Sequence, residues 1–146
     1  VRALLQRVSR AAVAVGGRDI AAIERGLLVF LACERGDHVA LLPRLLARVL
    51  GYRIFPDAAG RMNCSVAEVE GAVLLVPQFT LAADTGSGLR PGFTAALPPP
   101  DAALLFQAAW RELQEQYPRC ACGIFGADMQ VSLTNDGPVT FLLEQR

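Results

Sequence analysis

Short apolar runs alternate along the chain with clusters of glycine, proline and small polar residues, and their spacing predicts a mixture of strands and helices. Residues 3–8 and 11–15 read as two strands or one bent strand, the second ending at the turn pair Gly16-Gly17. A short strand near residues 20–23 then pairs back as a hairpin. Residues 27–33, Leu-Leu-Val-Phe-Leu-Ala-Cys, form an unbroken apolar run between Gly26 and Gly36, the pattern of a central strand covered on both faces. Asp37 reads as the N-cap of a helix over residues 38–50, with Leu42, Leu45, Leu46, Val49 and Leu50 on one face. Pro43 predicts a kink there or a later start.

Residues 52–55 read as a short strand closed by the turn Pro56-Asp57-Ala58-Ala59-Gly60, and residues 61–71 as irregular. The apolar run 72–76 predicts a buried strand that feeds into Pro77-Gln78-Phe79-Thr80-Leu81-Ala82-Ala83-Asp84-Thr85. Residues 86–92 are rich in breakers. Pro98-Pro99-Pro100-Asp101 reads as a stop followed by an N-cap. The helix after it, over 102–117, is expected to bury Leu104, Leu105, Ala108 and Leu113 and to end at Pro118. Strands are predicted over 120–125 and 129–133, where Met129, Val131 and Leu133 alternate with Gln130 and Ser132. Asn135-Asp136-Gly137-Pro138 is a strong turn signal, and 139–143 is the last strand. About seven strands and two helices without regular alternation predict an α+β fold, both helices packed on one curved, mixed sheet.

Length sharpens this picture, because 146 residues make one domain, residues 1–146, with room for a real core. Hydrophobic residues are 53% and charged residues 19%, which excludes a disordered chain and hints at a buried oligomer interface. The apolar runs are too short to span a bilayer, and no signal-peptide pattern is visible, so a soluble cytoplasmic protein is expected. Net charge is zero, 14 basic against 14 acidic residues, which argues against coating DNA or RNA by long-range electrostatics. It leaves room for gripping a few phosphates at the end of an RNA. Every basic residue is arginine, so Schiff-base chemistry and lysine-anchored pyridoxal phosphate are ruled out. Cys33, Cys64, Cys120 and Cys122 contain no CxxC pair and read as structural thiols; neither a disulfide framework nor a zinc site is expected.

Elimination narrows the chemistry further. His38 is the only histidine and falls at a predicted helix start, a surface position, so a Ser-His-Asp or Cys-His device has no base. No Walker lysine, dinucleotide glycine motif or multi-histidine metal site occurs, so no cofactor and no metal are expected. Asp84 and Asp128 lie near predicted strand ends, as a carboxylate pair or as solvated and capping residues. What remains is backbone. Pro77 ends ladder pairing, so the N–H groups of Phe79 and Thr80 are candidates for binding an oxyanion; the plainer reading is a strand running out into a surface turn. Gly137-Pro138 is either an ordinary hairpin turn or a site for a cis peptide bond.

Gln78-Phe79-Thr80-Leu81-Ala82-Ala83-Asp84-Thr85 together with Asn135-Asp136-Gly137-Pro138-Val139-Thr140-Phe141 closely resembles the D-aminoacyl-tRNA deacylases. The likeness runs through Leu5-Gln6-Arg7-Val8, Leu50-Gly51-Tyr52-Arg53-Ile54-Phe55, Arg61-Met62-Asn63, Arg90-Pro91-Gly92-Phe93 and Phe125-Gly126-Ala127-Asp128-Met129. The resemblance implies a strongly curved, barrel-like sheet and a homodimer that binds the 3′ end of aminoacyl-tRNA, hydrolyses the D-aminoacyl ester and also removes mischarged glycine. It implies that Gly137-Pro138 is cis and enters the partner's pocket, where its carbonyls crowd out side chains of L chirality. Catalytic roles fall on the backbone of Gln78, Phe79 and Thr80, with the 2′-hydroxyl of the terminal adenosine assisting a water; the older alternative makes Thr80 the nucleophile. Phe125, Met129 and Arg7 fall on the substrate side, the first two at the adenine and Arg7 holding the Gly-Pro pair. Pro77 departs from the family serine. A related branch acting on L-threonyl-tRNA carries proline there, followed by Gln-Ala-Thr, so a deacylase of relaxed chirality is the alternative, and a non-catalytic dimer binding tRNA ends is a third reading.

Overall fold

The computed structural model describes residues 1–146. Its organising element is β1 (Arg2–Val15), which joins both N-terminal apolar segments into one long strand. One edge of β1 is shared: residues 2–8 pair antiparallel with β3 (Gly26–Ala32), and residues 11–15 with β2 (Arg18–Ile23). The other edge carries β8 (Gln130–Glu144), antiparallel along nearly its whole length. Beyond β3, the parallel neighbours β6 (Ala72–Pro77) and β7 (Cys120–Cys122) complete the order β2-β1-β3-β6-β7. β2 comes back against β6 and β7, so the mixed sheet rolls into a nearly closed barrel. Phe55–Pro56 (β4) and Met62–Cys64 (β5) form a small separate hairpin inside the stretches expected as strand and as irregular chain.

The apolar pattern explains why β3 and β6 lie at the centre. Leu27, Val29, Leu31, Val73 and Leu75 face α1 (Leu42–Gly51) and α2 (Pro99–Gln116), whose Leu45, Leu46, Phe106 and Leu113 complete the main core. Leu28, Leu74 and Val76 point to the opposite face and join Val8, Ala11, Val13 and Ile23 in a second core. Strands buried on both sides need apolar residues at every position, and that is what these runs supply. Gly26 lets the two strands start side by side, since a Cβ there would lie 2.7 Å from the backbone nitrogen of Ala72.

Four local expectations differ from the structure. Asp37 caps no helix; its carboxylate accepts from the Glu34 N–H at 2.6 Å and from the Val1 amine at 2.7 Å. A 3-10 turn (Val39–Leu41) intervenes and α1 begins at Leu42, which puts Pro43 in the first turn, where its missing N–H costs nothing. α2, by contrast, starts earlier than expected, at Pro99, with Asp101 inside its first turn beside the positive end of the helix dipole. On α2, Leu104 is 66% exposed; the buried face runs through Ala102, Leu105, Phe106, Ala109 and Leu113. Finally, Asn135-Asp136-Gly137-Pro138 does not turn the chain. β8 continues through it, with a break in register between Gln6↔Thr140 and Val8↔Asn135. The long pairing with β1 on both sides overrides the local turn chemistry and converts it into a bulge.

Candidate active site

β6 delivers its last residues to the rim of the sheet. Pro77 pairs with Leu31, and the Gln78 N–H makes the final ladder bond to the Leu31 carbonyl at 2.8 Å. A 3-10 turn (Phe79–Ala82) follows at once. Its first satisfied donors are the Leu81 N–H, bonded to the Gln78 carbonyl at 3.3 Å, and the Ala83 N–H, bonded to the Thr80 carbonyl at 3.1 Å. The N–H groups of Phe79 and Thr80 stand at the head of this turn, where a helical turn supplies no acceptor, and they enter no loop or cap bond. The Thr80 hydroxyl accepts from the Gln78 side-chain amide at 2.5 Å. That amide is neutral and no base, so nothing at this position activates the hydroxyl as a nucleophile.

Facing the turn is the segment from Phe125 to Met129, and between them lies a cavity of about 360 Å³. Gln78, Phe79, Phe125, Asp128 and Met129 all line it. The Phe125 ring is anchored 6.2 Å from the ring of Phe106 on α2, and Met129 rests on the second core. Gly123, which the sequence did not single out, makes room for Met129: a Cβ there would lie 2.9 Å from the Met129 sulfur and 3.4 Å from Pro77 Cδ. A glycine at a strand end, after Cys122, was the only signal for it. Phe125 and Met129 make one wall apolar and aromatic with the Asp128 carboxylate beside them, Gln78 and Phe79 line the other, and Thr80 lies one residue beyond the lining.

Gly137-Pro138 lies elsewhere, in the β8 bulge, and its peptide bond is cis. Two side chains hold the bulge. Arg7 donates from Nε to the Asp136 carbonyl at 2.8 Å and from a terminal amino group to the Ile54 carbonyl at 2.7 Å, and pairs with the Asp136 carboxylate at 3.2 Å. Asn135 bonds the Arg7 and Val139 carbonyls through its amide nitrogen, at 2.9 and 3.0 Å, and accepts from the Val139 N–H at 3.3 Å. Neither this role of Asn135 nor that of the Ile54 carbonyl was visible in sequence, because both depend on long-range pairing. Arg7 thus sits with the Gly-Pro pair and away from Phe125 and Met129. Four residues of register separate Arg7↔Leu27 from Leu31↔Pro77, and three strand spacings separate β6 from β8. At ~3.3 Å per residue and ~4.8 Å per strand this puts the pair roughly 20 Å from Gln78 measured along the curved sheet.

The remaining candidates fall outside the cavity. His38 is exposed beside the 3-10 turn before α1. Asp84 accepts from the Gly86 N–H at 2.8 Å and closes the 84–92 loop through paired backbone bonds with Gly92, so it does not meet Asp128 in the cavity. All four cysteines are free. Burial pushes Cys33 up to about 11 and Cys122 up to about 12, with the Asp37 charge adding to the first and Cys120 to the second. No three His, Cys, Asp or Glu side chains gather as a metal-binding group, and no helix is long and apolar enough to cross a membrane.

The same fold, a rolled mixed sheet with two helices on one face, occurs in a solved structure titled as a probable eukaryotic D-amino acid tRNA deacylase, which superposes with a TM-score of 0.85, covering 97% of each chain at 17% identity. A solved structure titled c-Myc DNA Unwinding Element Binding Protein superposes with a TM-score of 0.94 at 37% identity, covering 99% of this chain and 98% of that one. In sequence, the chain is 57% identical to a D-aminoacyl-tRNA deacylase of Nitrosococcus oceani, covering 97% of this chain and 92% of that protein. It is 56% identical to one of Burkholderia mallei, covering 99% and 98%. The family model described as D-Tyr-tRNA(Tyr) deacylase matches residues 4–144. The chain belongs to that family, a family of hydrolytic enzymes.

Proposed function

We propose that this protein hydrolyses the ester joining a D-amino acid to the terminal adenosine of tRNA, releasing free tRNA, and that it removes glycine mischarged on tRNA in the same way. The observation that carries the proposal is the head of the 3-10 turn, where the N–H groups of Phe79 and Thr80 enter no loop or cap bond and Phe79 lines a cavity walled by Phe125 and Met129. Adenine stacks against the Phe125–Met129 wall, and the ester carbonyl oxygen takes the two N–H groups as its charge develops. No histidine lines the cavity and Asp128 is its one carboxylate; in this reading the 2′-hydroxyl of the substrate assists the attacking water, and the protein contributes orientation and exclusion.

Selectivity in this reading comes from a second copy of the chain. The protein's own Gly137-Pro138 forms no part of the lining of the cavity that holds Gln78 and Phe79, which supports insertion of the pair from a partner. The edge of β8 that does not face β1 has no partner strand, and a long unpaired edge is the kind of surface a second copy covers. Arg7 and Asn135 hold the bulge in the shape that presents its carbonyls. An L side chain meets those carbonyls, a D side chain points away, and glycine has nothing to reject.

Hydrolysis of D-tyrosyl-tRNA without added metal, with the L-ester spared, is the deciding assay. No turnover of the D-ester by the purified protein refutes the proposal, and tight binding with the ester intact selects a non-catalytic tRNA-end binder. Pro77 favours one second reading, a deacylase of relaxed chirality, for which L-threonyl-tRNA turnover comparable to that of the D-ester is the signature.

A further inference from the structure

The cavity just described has a neighbour. On the other side of Phe79 lies a second one, of about 320 Å³, walled by Phe79, Phe93, Leu97, Pro98 and Arg35. The rings of Phe79 and Phe93 stand 5.1 Å apart at 56°, yet they are 54% and 40% exposed and pack into none of the three apolar cores. Arg35 is tied to the same segment: its N–H bonds the Ala95 carbonyl at 2.9 Å and its Nε the Thr94 carbonyl at 2.7 Å. Its terminal amino groups make no hydrogen bond, and it enters none of the chain's five ion pairs.

We propose that this second cavity binds the cytidine that precedes the terminal adenosine of tRNA, its base stacking on the Phe79–Phe93 pair and its phosphate meeting Arg35. The inference rests on the ester-hydrolase reading and adds a subsite to it. Three observations select this occupant. Phe79 is a wall of both cavities, so a strand leaving the first runs directly past the second. Exposed aromatic faces are the platform on which unpaired bases bind, largely without regard to sequence. One arginine already oriented by the backbone, with no acidic partner, suits a single phosphate and fits a chain of zero net charge. The cytidine is common to all tRNA ends, so the subsite adds affinity without choosing among tRNAs.

The test compares D-tyrosyl-tRNA with D-tyrosyl-adenosine, which carries the same ester and no cytidine, on the wild type, Phe93→Ala and Arg35→Gln. Wild type is expected to favour the tRNA ester in kcat/KM. Each variant should raise KM for the tRNA ester roughly tenfold, the order expected for loss of one stacked base, and shrink that preference in proportion. Phe93→Tyr, which keeps the stacking face, should restore it. Equal losses on both esters overturn the subsite, because the cavity would then serve the aminoacyl group or the Phe79 amide. So does a change from dimer to monomer in sedimentation, which would mean a second copy covers the cavity. Turnover of the adenosine ester with no preference for tRNA refutes the subsite alone; inactivity of wild type on both esters refutes the hydrolase reading with it.

Discussion

Gly137→Ala tests the bulge through space alone. The added Cβ would overlap the Val139 nitrogen and lie 3.0 Å from Val139 Cγ2 and 3.1 Å from its Cα. These atoms cannot retreat cheaply. Val139 is only 5% exposed, belongs to the main core, and is bonded through both its N–H and its carbonyl to Asn135. Forcing extra volume into packed surroundings costs about 1–3 kcal/mol. Loss of one neutral hydrogen bond adds about 0.5–1.5 kcal/mol. A total of about 2–4 kcal/mol corresponds to a fall in Tm of roughly 5–15 °C for a chain of this size. The variant should be assayed by thermal unfolding and by parallel hydrolysis of D- and L-tyrosyl-tRNA well below its own Tm. The expected result is a lowered Tm together with a raised L-to-D rate ratio. A Tm close to wild type refutes the packing argument; a lowered Tm with unchanged D/L discrimination refutes the role assigned to Gly137-Pro138.

Other outcomes follow from the same geometry. Thr80→Ala should keep kcat on the D-ester within about tenfold of wild type, because the N–H survives the substitution; a loss near the thousandfold scale of a missing nucleophile would favour the older mechanism. Arg7→Ala should lower stability by roughly 2–4 kcal/mol in denaturant titration, since charge-assisted bonds to the Asp136 and Ile54 carbonyls vanish at a mostly buried site. It should also erode D/L discrimination, and Arg7→Lys should not rescue it, because lysine lacks the planar fork that reaches two carbonyls at once. Gly123→Ala should push the Met129 side chain toward the cavity and raise KM for the D-ester with little change in Tm. Cys33 and Cys122, held at about 11 and about 12 from an ordinary 9.0, stay protonated in the fold. Their contribution to stability is therefore complete below pH 9 and is lost as pH rises through 11–12, where the unfolded chain has already released the protons. The urea midpoint should fall above pH 9, and both thiols should resist alkylation at pH 8 until the chain is unfolded.

Much of the scaffold was legible because it rests on local pattern. The continuous apolar runs of β3 and β6 marked strands buried on both faces, and the helical spacing of Leu42, Leu45, Leu46 and Val49 marked the buried side of α1. Leu104 was misassigned because helical period identifies a face only to within one residue on either side, and packing against the sheet chose Phe106 instead. Asp37 and Asp101 look like caps by residue type. Capping depends on where the first turn begins, and that is decided by Pro43 and Pro99 together with the surrounding contacts.

The site divides in the same way. Residue types alone removed histidine, lysine and metal-ligand chemistry from consideration, and Pro77 after an apolar strand directed attention to the amides of Phe79 and Thr80. The amino-acid order also carried the family resemblance, because its motifs are contiguous. Only the tertiary structure brought the Phe125–Met129 segment opposite the 3-10 turn, since a cavity wall is made by strands far apart in sequence. Only the pairing of β8 along β1 turned Asn135-Asp136-Gly137-Pro138 from a hairpin signal into a bulge stapled by Arg7 and Asn135. A turn motif expresses a preference of about a kilocalorie over four residues. A strand paired over more than ten outweighs it, so the chain runs straight through and the motif's polar groups become the fastenings of the element they were expected to end.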